Sequence, residues 1–256
     1  MSTPLSNLDF NAFTLGGNDL TAVLQAFKPE AQNTIQDGSG LADDFEFGIA
    51  VKQKQTIAFQ ILTLNGSSIP SSGLDISVWS VGGSSYLGQL RGGTISASLK
   101  TPERSSIASA YMVPGATKRN VEFTSDFLVV SSAGFTKTLM TGGQASFNVV
   151  VQVTYGGIAF SCPMILKGSV HSVTNNEMQM ENVSMSARGA ATGPGGGSPL
   201  GEILFGSALL TLASDTGGNE YNTSSALLTK VNVAFADSSL IKIDGTLEIQ
   251  GALTVV

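Results

Sequence analysis

The chain has 256 residues, with 13 Lys and Arg against 19 Asp and Glu for a net charge of −6, one Cys and one His. A single cysteine excludes an internal disulfide and, beside a single histidine, a closed zinc site; the acidic balance excludes a binder that grips phosphates through clustered Lys and Arg. Charged residues make up 12% of the chain, where a soluble domain carries about 25%, and mean hydropathy is +0.21, so surface is expected to be buried against other subunits.

The start, Met1-Ser2-Thr3-Pro4-Leu5, has neither a basic end nor an apolar stretch, so no signal peptide is expected. No run of about 18 apolar residues occurs, so no membrane-spanning helix is expected. Residues 1–40 are the least strand-like and read as an N-terminal arm. Within it Leu20 to Phe27 reads as a short helix, capped by Asn18 or Asp19 and stopped by Pro29. The acidic stretch Asp43-Asp44-Phe45-Glu46 lacks the regular spacing of a calcium loop and reads as solvated.

From there strands follow one another. Thr56 to Ile61 alternates, and Leu74 to Val81 carries the only tryptophan, Trp79, with a turn after it at Gly82-Gly83. Thr94 to Lys100 places Ile95, Ala97 and Leu99 on one face. Thr101 to Tyr111 reads as a short helix ended by Pro114-Gly115. Val121, Phe123, Phe127 and Val129 share a face, as do Phe147, Val149, Val151, Val153 and Tyr155; Gly156-Gly157 then offers a two-residue hairpin turn. Cys162, between Ser161 and Pro163, reads as a buried packing residue.

Residues 182–190 and 244–252 resemble each other at an offset of 62, which Ile165-Leu166 and Leu227-Leu228 share. Between them the Gly/Pro-rich stretch 191–199 reads as a flexible loop. The alternation from Ile241 to Val255 reads as one half-buried strand, with Ile243, Leu247 and Ile249 inward and Lys242 and Glu248 outward. The expected fold is mainly β, an antiparallel β-sandwich or barrel with one or two short helices. Residues 41–256 form its core, and 131–256 contains a possible tandem or inserted β-region.

Chemistry is sparse. His171 is the only histidine, and no Gly-x-Ser-x-Gly elbow stands in a strand-turn-helix context. One Trp and four Tyr supply few platforms for sugars. The glycines at 193–197 are not followed by the Lys-Ser or Lys-Thr of a phosphate loop. No catalytic, cofactor or metal residue is assigned, and a non-enzymatic protein is expected.

Tyr86 to Thr101, the Ser-rich segment after it and Val113 to Thr124 resemble the major tail tube proteins of long-tailed bacteriophages. So does the ending, Ala226 to Ala236 followed by the strand from Leu240 to Gly251. The resemblance covers about half the chain and is one of pattern. It implies a β-fold of tail-tube type, self-assembly into stacked homo-oligomeric rings around a channel, other tail proteins as partners, and DNA only as passing cargo. It implies a virion protein of the tail, assembled in the host cytoplasm. The alternative is another β-rich virion or surface protein, a capsid-decorating or surface-layer subunit; a carbohydrate-binding module or β-fold hydrolase is third. A DNA channel is served by acidic walls that repel phosphate, and the candidate lumen carboxylates are Glu122, Asp126, Asp244 and Glu248. The chain is longer than the simplest tube proteins, and the break near Gly193 departs from their pattern, which an inserted or tandem β-region would explain.

Overall fold

The computed structural model describes residues 11–37, 48–63, 75–103, 118–130, 134–155, 158–193, 199–204, 206, 208–215, 219–236, 239–251 and 253–256. The expected helix at 101–111, the acidic stretch 43–46 and the turn at 156–157 lie wholly or mostly outside them. In chain order the elements are β1 (Ala12–Leu15), β2 (Asn18–Asp19), β3 (Leu24–Asp37), β4 (Gly48–Leu62), β5 (Ile76–Val81), β6 (Ser84–Ser85), β7 (Leu90–Lys100) and β8 (Lys118–Leu128). Then come α1 (Gly134–Thr141), β9 (Asn148–Tyr155), β10 (Ile158–Ser172), β11 (Met180–Ala187), α2 (Pro199–Leu204), β12 (Leu209–Asp215), β13 (Glu220–Ala236), β14 (Lys242–Ile249) and β15 (Thr254–Val255). The fold is mostly antiparallel β-sheet with two helices.

The strands fall into two units of the same topology. In one the order is β6-β5-β9-β10-β11-β8-β7; in the other it is β2-β1-β12-β13-β14-β4-β3. The first unit, residues 76–187, is inserted between the halves of the second. Their correspondence extends to single residues. Phe13-Thr14-Leu15-Gly16-Gly17 matches Trp79-Ser80-Val81-Gly82-Gly83, a shift of 66 residues. Both glycine pairs take the left-handed backbone of a tight hairpin, with φ of 59° and 81° in one and 60° and 83° in the other. Leu20 N–H donates to the Phe13 carbonyl at 2.8 Å, and Tyr86 N–H to the Trp79 carbonyl at 2.9 Å. Register slips recur as well. The β10–β11 ladder slips between Leu166 and Gly168 and the β13–β14 ladder between Leu228 and Lys230, a shift of 62. The β7–β8 ladder slips between Leu90 and Gly92, and β3–β4 between Leu24 and Ala26. Bulges re-aim strands at fixed places, so shared bulges mean shared curvature.

The units join where β7 pairs with the distal half of β13, from Ser98 opposite Lys230 to Gly92 opposite Ala236. The result is one eight-stranded path, β3-β4-β14-β13-β7-β8-β11-β10. One face of it is apolar. Ile61, Ile243, Val233, Ile95, Phe123, Met185 and Leu166 stand opposite one another in turn across seven strands, and all are buried. Strands β5 and β9 cover that face in the inserted unit, making a sandwich. Trp79 meets Phe123 at 6.0 Å and Phe235 at 4.9 Å between ring centroids. Phe235 and Ile241 belong to the outer unit but complete the core around Trp79.

Two expectations need correction. The helix over Leu20–Phe27 is a single 3-10 turn, Thr21–Val23, followed at once by β3. Asp19 does hold the turn, accepting from the Thr21 hydroxyl at 2.6 Å and the Thr21 N–H at 3.0 Å. Beyond it pairing with β4 overrides the weak helical pattern. Pro29 does not end the segment, because among the described residues β3 pairs only with β4 and an end strand can spare an N–H. The second correction concerns Ile241–Val255. The strand stops at Ile249, Gly251 turns the chain at φ 105°, and β15 pairs separately with the start of β13. The inward positions Ile243, Leu247 and Ile249 are buried as expected. The 191–199 stretch is described only at its ends. Thr192 and Ser161 exchange backbone hydrogen bonds at 2.7 Å, and buried Pro199 opens α2; residues 194–198 lie outside the described residues.

Candidate functional site

The second face of the eight-stranded path is polar, and it is where the candidate carboxylates lie. One row across it reads Gln60, Asp244, Asn232, Ser96, Glu122 and Ser186. The next reads Ala58, Thr246, Lys230, Ser98 and Asn120, and a third carries Lys242, Ala234, Thr94, Thr124 and Ser184. Small hydroxyl side chains dominate the centre, and Thr94 and Thr124 share a hydrogen bond at 2.7 Å. The face is therefore lined mainly by small polar side chains.

All four carboxylates sit on this face, at matching places in the two units. Asp126 on β8 accepts from the Asn182 amide at 2.5 Å, and Asp244 on β14 accepts from the Gln60 amide at 2.7 Å. These pairs occupy equivalent positions with acid and amide exchanged between strands. Glu122 accepts from Lys167 at 3.0 Å, and Glu248 forms an ion pair with Lys54 at 3.0 Å. The Lys167 hydrogen bond holds the Glu122 carboxyl below its ordinary range, with the Asn120 and Ser186 hydrogen bonds adding to it. Lys230 and Lys242 share the face and are exposed. The charge there is mixed, with the acids set against nearby lysines and amides.

These partners were not legible in the sequence. Gln60, Lys54 and Lys167 are distant in the chain from the carboxylates they meet, and only the strand register brings them together. The recurrent Gly-Gly after Leu15 and after Val81 was a further signal for the duplication, beside the offset of 62.

Outside this face the reactive side chains are isolated. His171 Nε2 lies 3.2 Å from Gln179 Oε1 on the sheet surface. Cys162 is buried, and burial pushes its thiol up to about 11. Glu181 is buried and accepts from the Thr136 N–H at 2.6 Å and the Ser169 hydroxyl at 3.0 Å, pinning the start of α1 to β11. Among the described residues no group of three His, Cys, Asp or Glu is placed to hold a metal ion. No described helix is long and apolar enough to cross a membrane.

What the geometry defines is a duplicated antiparallel β-sandwich whose two units share one continuous sheet. No protein family matches the chain, and no curated protein is detectably similar in sequence. Among solved structures it is similar to a chain in the virion of a native gene transfer agent particle, at 15% identity and TM-score 0.40, over 48% of this chain and 98% of that one. It is also similar to a chain in the tail of an empty gene transfer agent particle with C6 symmetry, at 16% identity and TM-score 0.36, over 41% of this chain and 82% of that one.

Proposed function

We propose that this chain is a structural virion protein, a tail tube subunit that self-assembles into stacked rings, with the polar face of the eight-stranded sheet lining a channel for DNA. The observation that carries the reading is the sheet itself. One face is sealed by a core and the other is a broad hydrated surface of small side chains. A conduit needs such a wall, wide and nowhere strongly basic, since clustered Lys and Arg would hold phosphate. The four carboxylates serve by offsetting the lysines beside them. The resemblance of residues 86–124 and 226–251 to tail tube proteins supports the same reading, as does the low charge content.

Negative-stain microscopy of the purified protein tests it. Rings or tubes with a central hole are the expected result. Flat sheets or capsid-bound knobs would replace the tube by a surface-layer or decorating subunit, and persistent monomers would overturn an assembly role altogether.

A further inference from the structure

The seam between the two units is a joint for which each chain carries a second set of halves, without a partner strand among the described residues. Inside the chain, β7 pairs with β13 from Lys230 to Ala236. By the shifts of 66 and 62 residues that relate the units, the counterpart of β7 is β3 and the counterpart of this part of β13 is β10 from Gly168 onward. Among the described residues neither counterpart has a strand on the corresponding side: β3 pairs only with β4, and β10 beyond Ile165 pairs only with β11. The open half of β10 is also apolar where it should be wet. Val170 is 62% exposed and Val173, just past the strand, 63%, whereas Phe235, the counterpart of Val173, is 7% exposed inside the seam. An open, partly apolar strand edge is a pairing site, not a resting surface.

We propose that a second copy of this chain docks here, pairing its β3 with the open half of β10 in the register of the seam. That register sets Gln32 opposite Gly168, Glu30 opposite Val170, Lys28 opposite Ser172 and Phe27 opposite Val173. The side chains suit it. Within the chain the seam sets a small residue against a large one, Gly93 against Phe235; between copies it sets large Phe27 against smaller Val173. No like charges meet, and the docked ladder forgoes one hydrogen bond, at Pro29 opposite His171. The two edges lie at opposite ends of the eight-stranded path, so the contact is head to tail, and each copy offers one edge of each kind. Association therefore continues from chain to chain until a ring closes or a filament grows. This follows from the internal duplication and does not depend on the tube reading.

Cysteine pairing tests the register in the full-length protein. Residues directly opposite in a ladder are close enough for a disulfide, and Cys162 is buried and silent. Glu30→Cys combined with Val170→Cys, oxidised under assembly conditions, is expected to give a ladder of two, three and more linked chains on a non-reducing gel. Either single variant, and the out-of-register pair Gln36→Cys with Val170→Cys, is expected to stay monomeric. A charge test needs no oxidation: Val170→Glu, facing Glu30, lowers assembly affinity about tenfold, and adding Glu30→Lys restores it, with the circular dichroism melt unchanged throughout. An assembly without the ladder, an equal ladder from the out-of-register pair, a Val170→Glu protein that assembles normally, or a protein monomeric at every concentration overturns the proposal. A ladder in filaments or sheets without a channel keeps the docking and removes the tube; channel-bearing tubes without the ladder do the reverse.

Discussion

Gly93 stands directly opposite Phe235 across the seam between the units, and a Cβ placed on it would lie 3.0 Å from the Phe235 ring and in collision with the Thr124 carbonyl oxygen. The missing side chain is what lets the outer unit insert Phe235 against Trp79. At the equivalent position the outer unit has Phe27, which packs on Phe13 at 5.8 Å and Tyr221 at 5.7 Å. One position thus distinguishes a seam made within the chain from an edge without a partner strand among the described residues.

Gly93→Val is expected to destabilise the folded chain by about 1–3 kcal/mol through overpacking against backbone that cannot move aside. A urea titration followed by tryptophan fluorescence measures it, because Trp79 lies under the displaced ring. A midpoint equal to that of the wild type would mean that the seam is loose.

The β-class and most strand faces were legible because burial on one side writes a period of two into the sequence. Ile95 and Ala97, Val121 and Phe123, and Val151 and Val153 all read correctly and are buried. Two features were not legible and a third was legible only in part, for different reasons. At Leu20–Phe27 local pattern lost to pairing with β4, which begins more than twenty residues later. At Gly251 the alternation continues through a turn, so periodicity alone joins two strands into one. The duplication showed only as the offset of 62 between residues 182–190 and 244–252, because the units share shape through bulges and turns while few side chains match; Phe13 and Trp79 are the same core position in different residues. For the candidate carboxylates, composition and strand phase put Glu122, Asp126, Asp244 and Glu248 on a polar face, but their neighbours depend on register, which no local signal carries.

Ile249→Asp tests the inward register of β14. Ile249 is 2% exposed and stands opposite Ala226, itself buried. An unpaired carboxylate there is expected to cost several kcal/mol and to prevent a cooperative folded state. Glu248→Asp, one residue away on the polar face, should leave the thermal midpoint nearly unchanged. Equal stability of the two variants would place the strand in the wrong phase.

The Glu122–Lys167 contact predicts a small acid-side effect. The folded carboxyl titrates below its unfolded value because Lys167 hydrogen-bonds the charged form. Its contribution is therefore present above the unfolded carboxylate range and is lost as pH falls through the folded value. With side chains 45% and 51% exposed, solvent screens the pair, and the effect should stay under about 1 kcal/mol. Comparing urea midpoints of the wild type and Glu122→Gln from pH 7 down to pH 3 should show a gap at neutral pH that closes in acid. A gap that widens in acid would contradict the sign.

Under the tube reading, the polar face must let DNA pass without holding it. Glu122, Asp126, Asp244 and Glu248 share that face with Lys54, Lys167, Lys230 and Lys242, so their removal would leave a basic wall. Changing Asp126 and Asp244 together to Lys is expected to leave assembly nearly intact, because partly exposed charges contribute little to stability and their amide partners, Asn182 and Gln60, remain hydrated. DNA release should slow, since each added cation contributes a phosphate contact that displaces counterions, and the slowing should be greatest at low salt. The conservative changes Asp126→Asn and Asp244→Asn should fall between. Release rates measured from assembled particles across a salt series decide the matter. Rates independent of both substitution and salt would mean that this face does not line the channel, and would move the channel wall to another surface.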